Sequence, residues 1–232
     1  MAGSAVVIGA SGGIGGALEA ALADEGAYAR VLGFARSRGG ADHIDLADEA
    51  TIAAAAARVA AGPAPDLILI ATGLLHDDTH GPEKSFRELD PAWLAQTYAI
   101  NAIGPALVMK HFLPLLPREG TPVLAVLSAR VGSISDNRLG GWTGYRAAKA
   151  ALNMIVRNAA IEATRTSPRA IVVALHPGTV ATPLSAPFRG NVAPGNLFAP
   201  DRAAVQLLDV IDGLKPKDSG HIFAWDGAEI AP

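Results

Sequence analysis

The sequence contains no cysteine. That excludes a disulfide framework, a thiolate nucleophile and every thiolate metal site. Charge is scarce as well: 18% of the residues are Asp, Glu, Lys or Arg, and the formal net charge is −3. No basic block stands behind that figure, so neither nucleic acid nor an anionic membrane is an expected partner. Long apolar runs are missing too. The longest, around residues 67–75, falls far short of the roughly 20 residues a membrane-spanning helix needs. Residues 1–10 lack a basic leading segment and run straight into a glycine loop, which reads as a first strand and not as a secretory signal. What remains is a chain of 232 residues, half of them hydrophobic. Its length and composition predict one compact domain over 1–232, expected in the cytoplasm.

The stretch that carries most chemistry is residues 140–154, GGWTGYRAAKAALNM, which reads as helix. Tyr145 and Lys149 stand four residues apart, so a helix puts both on one face. A free phenol titrates near pH ~10, and a cation beside it is expected to lower that value. The pair is a candidate proton-transfer device.

Near the start, residues 5–9 (AVVIG) predict a buried parallel strand, and small and aliphatic residues from 12 to 23 predict a helix. Between them lies GASGGIG, residues 9–15. Glycines at Gly9, Gly13 and Gly15 permit close backbone approach to an anion, and a helix N-terminus beginning at Gly12 offers N–H donors to a pyrophosphate. Ser11 and Ile14 belong to the same candidate cofactor loop. These residues also spell G-x-S-x-G around Ser11, the pattern of a hydrolase nucleophile. That elbow needs earlier strands to build its oxyanion hole, and residue 11 has none before it.

Residues 29–35 predict the second strand, ending at Arg36. An arginine there, where an acid usually binds a ribose hydroxyl, suits a 2′-phosphate and therefore NADP over NAD. Only a short link leads to a third short strand expected at residues 43–46, too little for a helical crossover. Asp45 and Leu46 would then lie near the adenine end of a cofactor, unless Asp45 caps the following helix. Residues 51–61 are alanine-rich and helical. Residues 66–71 predict another strand, ending in Ala71, Thr72 and Gly73, a strand end of the kind that holds ligands in open α/β sheets. His76, Asp77, Asp78 and His80 have no third ligand segment, so they read as a solvated loop and no metal is expected.

Asp90 and Pro91 open a long helix through Phe112. Asn101 inside it, followed by Pro105, predicts a kink that exposes a polar group. Residues 123–128 form the expected central strand, residues 170–176 the next, and residues 221–225 a last one. Residues 183–200 are rich in Pro, Gly and Ser and read as a lid. A last helix spans 199–213. The pattern predicts a Rossmann-type doubly wound parallel sheet of about seven strands in a three-layer αβα fold.

In this order the motifs resemble the short-chain dehydrogenases/reductases over essentially the whole chain. IGASGGIG is similar to their TGxxxGIG loop, ATG (Ala71, Thr72, Gly73) stands where they have NNAG, and YRAAK matches Y-x-x-x-K. HPGTVATP, residues 176–183, matches their PG motif, which adds Pro177, Gly178, Val180 and Thr182 to the cofactor residues. The stretch SARVGSISDN and the later WDG also resemble the branch of C-signal and sniffer-type carbonyl reductases. The resemblance implies NADP(H)-dependent interconversion of a carbonyl and an alcohol. Tyr145 would be the acid/base, Lys149 its electrostatic partner and ribose ligand, and Asn101 the holder of a relay water. One departure stands out: Ala129 occupies the place of the family's usual serine, leaving Ser128 or Ser133 to supply a hydroxyl, or none. The departure, with the C-signal likeness, motivates an alternative, a dinucleotide-binding signalling protein with little turnover. The family implies a homodimer or homotetramer, with residues 100–109 and 147–156 as candidate faces.

Overall fold

The computed structural model describes residues 3–191, 193 and 195–232. Six parallel strands form the main sheet: β1 (Ser4–Ile8), β2 (Arg30–Phe34), β3 (Pro65–Ile70), β4 (Val123–Leu127), β5 (Ile171–His176) and β8 (Ile222–Ala224). Their spatial order is β2-β1-β3-β4-β5-β8. Short strands β6 (Thr179–Val180) and β7 (Leu197–Phe198) pair only with each other. The helices are α1 (Gly13–Glu25), α2 (Glu49–Ala60), α3 (Pro91–Tyr98), α4 (Gly104–Phe112), α5 (Thr143–Ala163) and α6 (Pro200–Gly213).

Alternation along the strands builds two cores. Val6 and Ile8 face a layer with Ile52 of α2, Val108 of α4 and Leu152 and Val156 of α5. Ala5 and Val7 face the opposite layer with Leu18 and Leu22 of α1 and Leu207 of α6. Both faces of each central strand are therefore apolar, as a parallel sheet buried on both sides requires. This is the Rossmann-type αβα fold expected, with six strands in its sheet instead of about seven.

The missing strand is the one expected at residues 43–46. Gly39 and Gly40 turn the chain into a single 3-10 turn, Gly40–Asp42, and only one bridge, Ala35 to His43, joins the returning segment to the sheet. The absent crossover helix is as the short link predicts. Asp45 does not cap α2: its carboxylate accepts from Ala47 N, and Asp48 accepts from Ala50 N at the helix start.

The long helix of residues 91–112 forms with a local change of winding. Residues Ala99–Ile103 are π-helical, and Gly104 N–H reaches back five residues to the Ala99 carbonyl. The predicted disturbance at Asn101 is thus a π-bulge, a device that often sits at functional sites. Residues 140–142 are not yet helix: Gly140, Gly141 and Trp142 have φ of 65°, 63° and 53°. The helix starts at Thr143.

Candidate active site

The sheet order reverses at β1, from which the chain runs first to β2 and then back to β3 on the other side. A crevice opens at the carboxyl ends of strands at such a point. Gly9 ends β1 with φ 93°, and a Cβ there would lie 2.6 Å from the Ala71 carbonyl oxygen beyond β3. A Cβ on Gly13 would meet the Thr182 methyl at 2.6 Å, and one on Gly15 the Gly9 carbonyl at 2.2 Å. Gly12 starts α1 with no side-chain cap. The first-turn N–H groups of α1 therefore have no side-chain acceptor, as an anion site needs. Thr72 carries a buried hydroxyl oxygen with no partner in the same crevice. A cradle closed to side chains, uncapped amides and an orphaned hydroxyl fit a dinucleotide.

Other predicted cofactor residues fall around this cradle. Ser11 is exposed beside Gly12, and Ile14 is half-buried on α1. Thr182 is 9% exposed and lies against Gly13, and Val180 packs with Ile14 of the same loop, whereas Gly178, after Pro177, faces Phe198 and Trp225. Gly73 faces Asn101 Oδ1, 3.6 Å from where its Cβ would be. Arg36 is exposed just past β2, with its carbonyl accepting from His43 Nδ1 at 3.0 Å. Arg38, by contrast, is held by Glu19 and by the Gly33 carbonyl. Leu46 is buried, its Cβ 2.6 Å from where a Cβ of Gly104 would stand, so its side chain packs against the helix.

The Tyr145–Lys149 pair lies on the first two turns of α5, as the spacing predicts. Lys149 is 2% exposed, and its Nζ donates to the Leu127 carbonyl at 2.8 Å, at the end of β4. Burial without a counter-ion lowers the amine to about 7. Nζ stands 5.8 Å from the centroid of the Tyr145 ring. The expected lowering of the phenol is not found: Tyr145 is pushed above its ordinary value by burial. The cation sits over the ring and is tied to a carbonyl, and an amine near 7 is only half charged at neutral pH, so desolvation dominates.

Asn101 is fully buried. Its Oδ1 accepts from Leu74 N at 3.0 Å, and its Nδ2 donates to the carbonyls of Leu74 (2.7 Å) and Thr97 (3.0 Å). The side chain is therefore spent on pinning the loop after β3 and is not free to hold a water. The group that lacks an α-helical donor is the Asn101 main-chain carbonyl, because residue i+4 is Pro105. Neither candidate serine has the tyrosine as a hydrogen-bond partner. Ser128 Oγ donates to Asn153 Oδ1 at 2.7 Å, and Ser133 Oγ accepts from Asp136 N at 3.1 Å and lies 3.5 Å from the Pro232 carbonyl oxygen.

Sequence reasoning misses Glu83. It is 3% exposed, its Oε2 accepts from Gly144 N at 3.1 Å, and its carbonyl accepts from Trp142 N at 2.5 Å. A carboxylate from the loop after β3 thus supplies the cap that Trp142 does not give α5, one residue before Tyr145. The contact spans 61 residues, so no local pattern could have announced it. His176, at the end of β5, figures in the sequence only as part of a motif. Burial lowers it to about 4 and leaves its Nδ1 without a partner, so it is neutral at physiological pH. Among the described residues no cluster of acids and histidines could hold a metal, and no helix is long and apolar enough to cross a membrane.

A parallel sheet with a glycine cradle at its switch point, and a half-buried tyrosine with a buried lysine at the strand ends, defines a Rossmann-type nucleotide-binding protein. The chain belongs to the short-chain dehydrogenase family, whose model matches residues 4–192. It is similar to the C-signal of Myxococcus xanthus, 38% identical over 144 residues that cover 62% of this chain and 81% of that protein. It is also similar to 1-hydroxy-2-glutathionyl-2-methyl-3-butene dehydrogenase of Rhodococcus sp. strain AD45, 33% identical over 185 residues covering 79% and 76%. Among solved structures, the NADPH-bound carbonyl reductase from chicken fatty liver aligns with a TM-score of 0.83 and 27% identity, over 99% of this chain and 98% of that one. Carbonyl reductase Sniffer of D. melanogaster shares the fold at a TM-score of 0.81 and 21% identity, over the whole of both chains.

Proposed function

We propose that the protein is an NADP(H)-dependent oxidoreductase that interconverts a carbonyl and an alcohol. The observation that carries this reading is the pair on α5, a buried Lys149 beside a half-buried Tyr145. Lys149 is tethered at the end of the central strand, with its ammonium over the ring of Tyr145, at the edge of a crevice that fits a dinucleotide. The dinucleotide, when bound, supplies or accepts the hydride at carbon. The glycine loop and the α1 N-terminus would hold its phosphates, and Thr72, Thr182 and Lys149 its nicotinamide half. Arg36, exposed while Arg38 is engaged by Glu19, favours NADP over NAD.

In the reductive direction Tyr145 donates its phenolic proton to the substrate oxygen as the carbonyl carbon is reduced. A phenol raised by burial is mostly protonated, which suits a donor. The tyrosine is reprotonated from Lys149, whose value near 7 lets it take a replacement proton from solvent at neutral pH. A water on the Asn101 main-chain carbonyl would connect the amine to bulk. We assign neither Ser128 nor Ser133 to the substrate oxygen, since both hydroxyls are committed elsewhere and Ala129 stands at the family's serine position.

Replacing Tyr145 by Phe keeps the ring and deletes the proton. Turnover of a carbonyl panel with NADPH should fall by about 10²–10⁴-fold, while NADPH binding by calorimetry persists. Wild-type turnover in Tyr145→Phe would overturn the assignment. NADPH binding by the wild type with no carbonyl reduced would favour the signalling alternative.

A further inference from the structure

The chain has six Phe, three Trp and three Tyr in 232 residues, yet three of these twelve meet at one place. The Trp142 ring meets Tyr145 edge-on, 6.4 Å between centroids at 72°. Phe188 lies 5.0 Å from Trp142 at 60°. His76, from the loop after β3, closes the far side 5.8 Å from Phe188 at 68°, with Nε2 3.3 Å from the Pro183 carbonyl. Phe188 belongs to the 3-10 segment Pro183–Asn191 that follows the PG motif. The neighbouring Arg189 turns its guanidinium onto the Thr182 carbonyl and the Ser185 hydroxyl, so its charge is spent close to its own segment. Leu184 of the same segment comes within 3.7 Å of the Cβ position of Gly73. Three separate segments thus put apolar and aromatic surface over the tyrosine and the cradle.

The backbone of Trp142 is the second observation. It alone among the described non-glycine residues has positive φ, 53°, following two glycines in the same left-handed conformation. A bulky residue is disfavoured there, and a third glycine would make the turn at lower cost. Glu83 holds the position by accepting the Trp142 N–H. Strain kept at a site beside a reactive group points to use of the side chain. The use that geometry offers the indole is a face presented to whatever lies between Tyr145 and the Pro183–Asn191 segment.

We propose that Trp142 and Phe188 form an aromatic jaw that selects carbonyl substrates carrying a flat π-system next to the carbonyl carbon. This rests on the carbonyl-reduction reading and names its substrate class. In the free protein the two rings satisfy each other. An aryl group entering toward Tyr145 replaces that contact with its own ring contacts, whereas a saturated ring of equal size gains burial without matched π faces. Trp142 and Phe188 are specificity-determining residues, and the proton transfer stays with Tyr145.

The test compares kcat/KM for benzaldehyde and cyclohexanecarbaldehyde, which have equal carbon counts, in wild type, Trp142→Gly and Phe188→Ala. Taking the ratio of the two aldehydes in each protein, and then comparing proteins, cancels the intrinsic reactivity of the aryl aldehyde. Each substitution should lower the aryl preference by about 2- to 10-fold, the range of aromatic pair energies, and mainly through KM. Trp142→Gly relieves the left-handed φ but gives up the ring contacts to Tyr145 and Phe188. Because both aldehydes are assayed on the same protein, a smaller folded fraction cancels in their ratio and cannot produce a weaker preference. An aryl-to-cyclohexyl ratio unchanged in both variants overturns the jaw. If the wild type reduces no carbonyl with NADPH, the functional reading itself fails. The jaw is then read by saturation-transfer NMR with benzyl alcohol and cyclohexylmethanol in wild type and Trp142→Gly. Saturation transfer that favours the aryl alcohol in wild type and evens out in the variant supports the jaw. Equal transfer to both alcohols in the wild type sinks it, as does an aryl preference that the variant keeps.

Discussion

Lys149 is expected to make the folded protein less stable at neutral pH than it would be without it, and Lys149→Met measures by how much. The amine is 2% exposed, with a single bond to the Leu127 carbonyl and a value lowered from 10.5 to about 7. A cation whose folded value is depressed binds fewer protons in the folded state than in the unfolded state between pH 7 and 10.5. Stability therefore rises with pH across that window. At 1.36 kcal/mol per pKa unit the burial costs roughly 4 kcal/mol at pH 7. Methionine fills the same volume without the charge but leaves Leu127 unpaired, a loss of about 1–3 kcal/mol. The variant should thus be more stable by roughly 1–3 kcal/mol at pH 7, with the gap shrinking by roughly 2 kcal/mol by pH 9. Urea unfolding of both proteins at pH 6, 7 and 9, followed by circular dichroism, reads this directly. Turnover of the variant should be abolished even as stability rises, a trade often met at functional sites. A stability gap that stays constant between pH 7 and 9 would refute the reasoning.

Two further expectations concern the cofactor crevice. Arg36→Ala should weaken NADPH binding by about 10- to 100-fold, the range of one charge-assisted hydrogen bond, and leave NADH unchanged by calorimetry; equal losses for both would count against the 2′-phosphate role. Gly9→Ala, at φ 93° with the Ala71 carbonyl 2.6 Å from the new Cβ, should lower stability by at least about 2 kcal/mol in thermal melts. Gly26→Ala is its control, at φ 68° with nothing within 4 Å, and should lose only about 1 kcal/mol. Equal losses would mean that backbone strain alone, and not close approach to β3, fixes Gly9.

The fold is legible in the sequence because its signals are local. Apolar runs ending in glycine mark the strands, Asp90–Pro91 marks a helix start, and alanine-rich stretches mark helices. The short segment at 43–46 misleads because a few apolar residues cannot show whether a sheet edge will be reached, and here a glycine turn delivers only one bridge. Within the site, Tyr145 and Lys149 can be placed by helical spacing, and Gly9, Gly13 and Gly15 by the steric need of a close turn. Which atoms remain free cannot be read that way. The sequence offers the Asn101 side chain to a water, but the amide is consumed by Leu74 and Thr97, and only the proline four residues on hints at the carbonyl. The serines are visible only by position in a motif, whereas Asn153 on α5 decides where Ser128 points. Glu83, Trp142 and Phe188 come from segments brought together only by tertiary folding.

The cap that Glu83 places on α5 also bears on the order in which the molecule assembles. A helix that carried its own serine or aspartate at the start could form that end early, from residues close in sequence. Here the end bearing Tyr145 begins in a left-handed turn and is completed by a carboxylate 61 residues away. Closing so long a loop is entropically slow, and the contact rewards it only once β3 and the segment after it have docked. The apolar end of α5, with Leu152, Val156, Ala159 and Ala160, has no such requirement and can settle on the sheet first. The turn that bears Tyr145 is then among the last parts of the chain to become ordered, and the first to be released when the loop after β3 lets go.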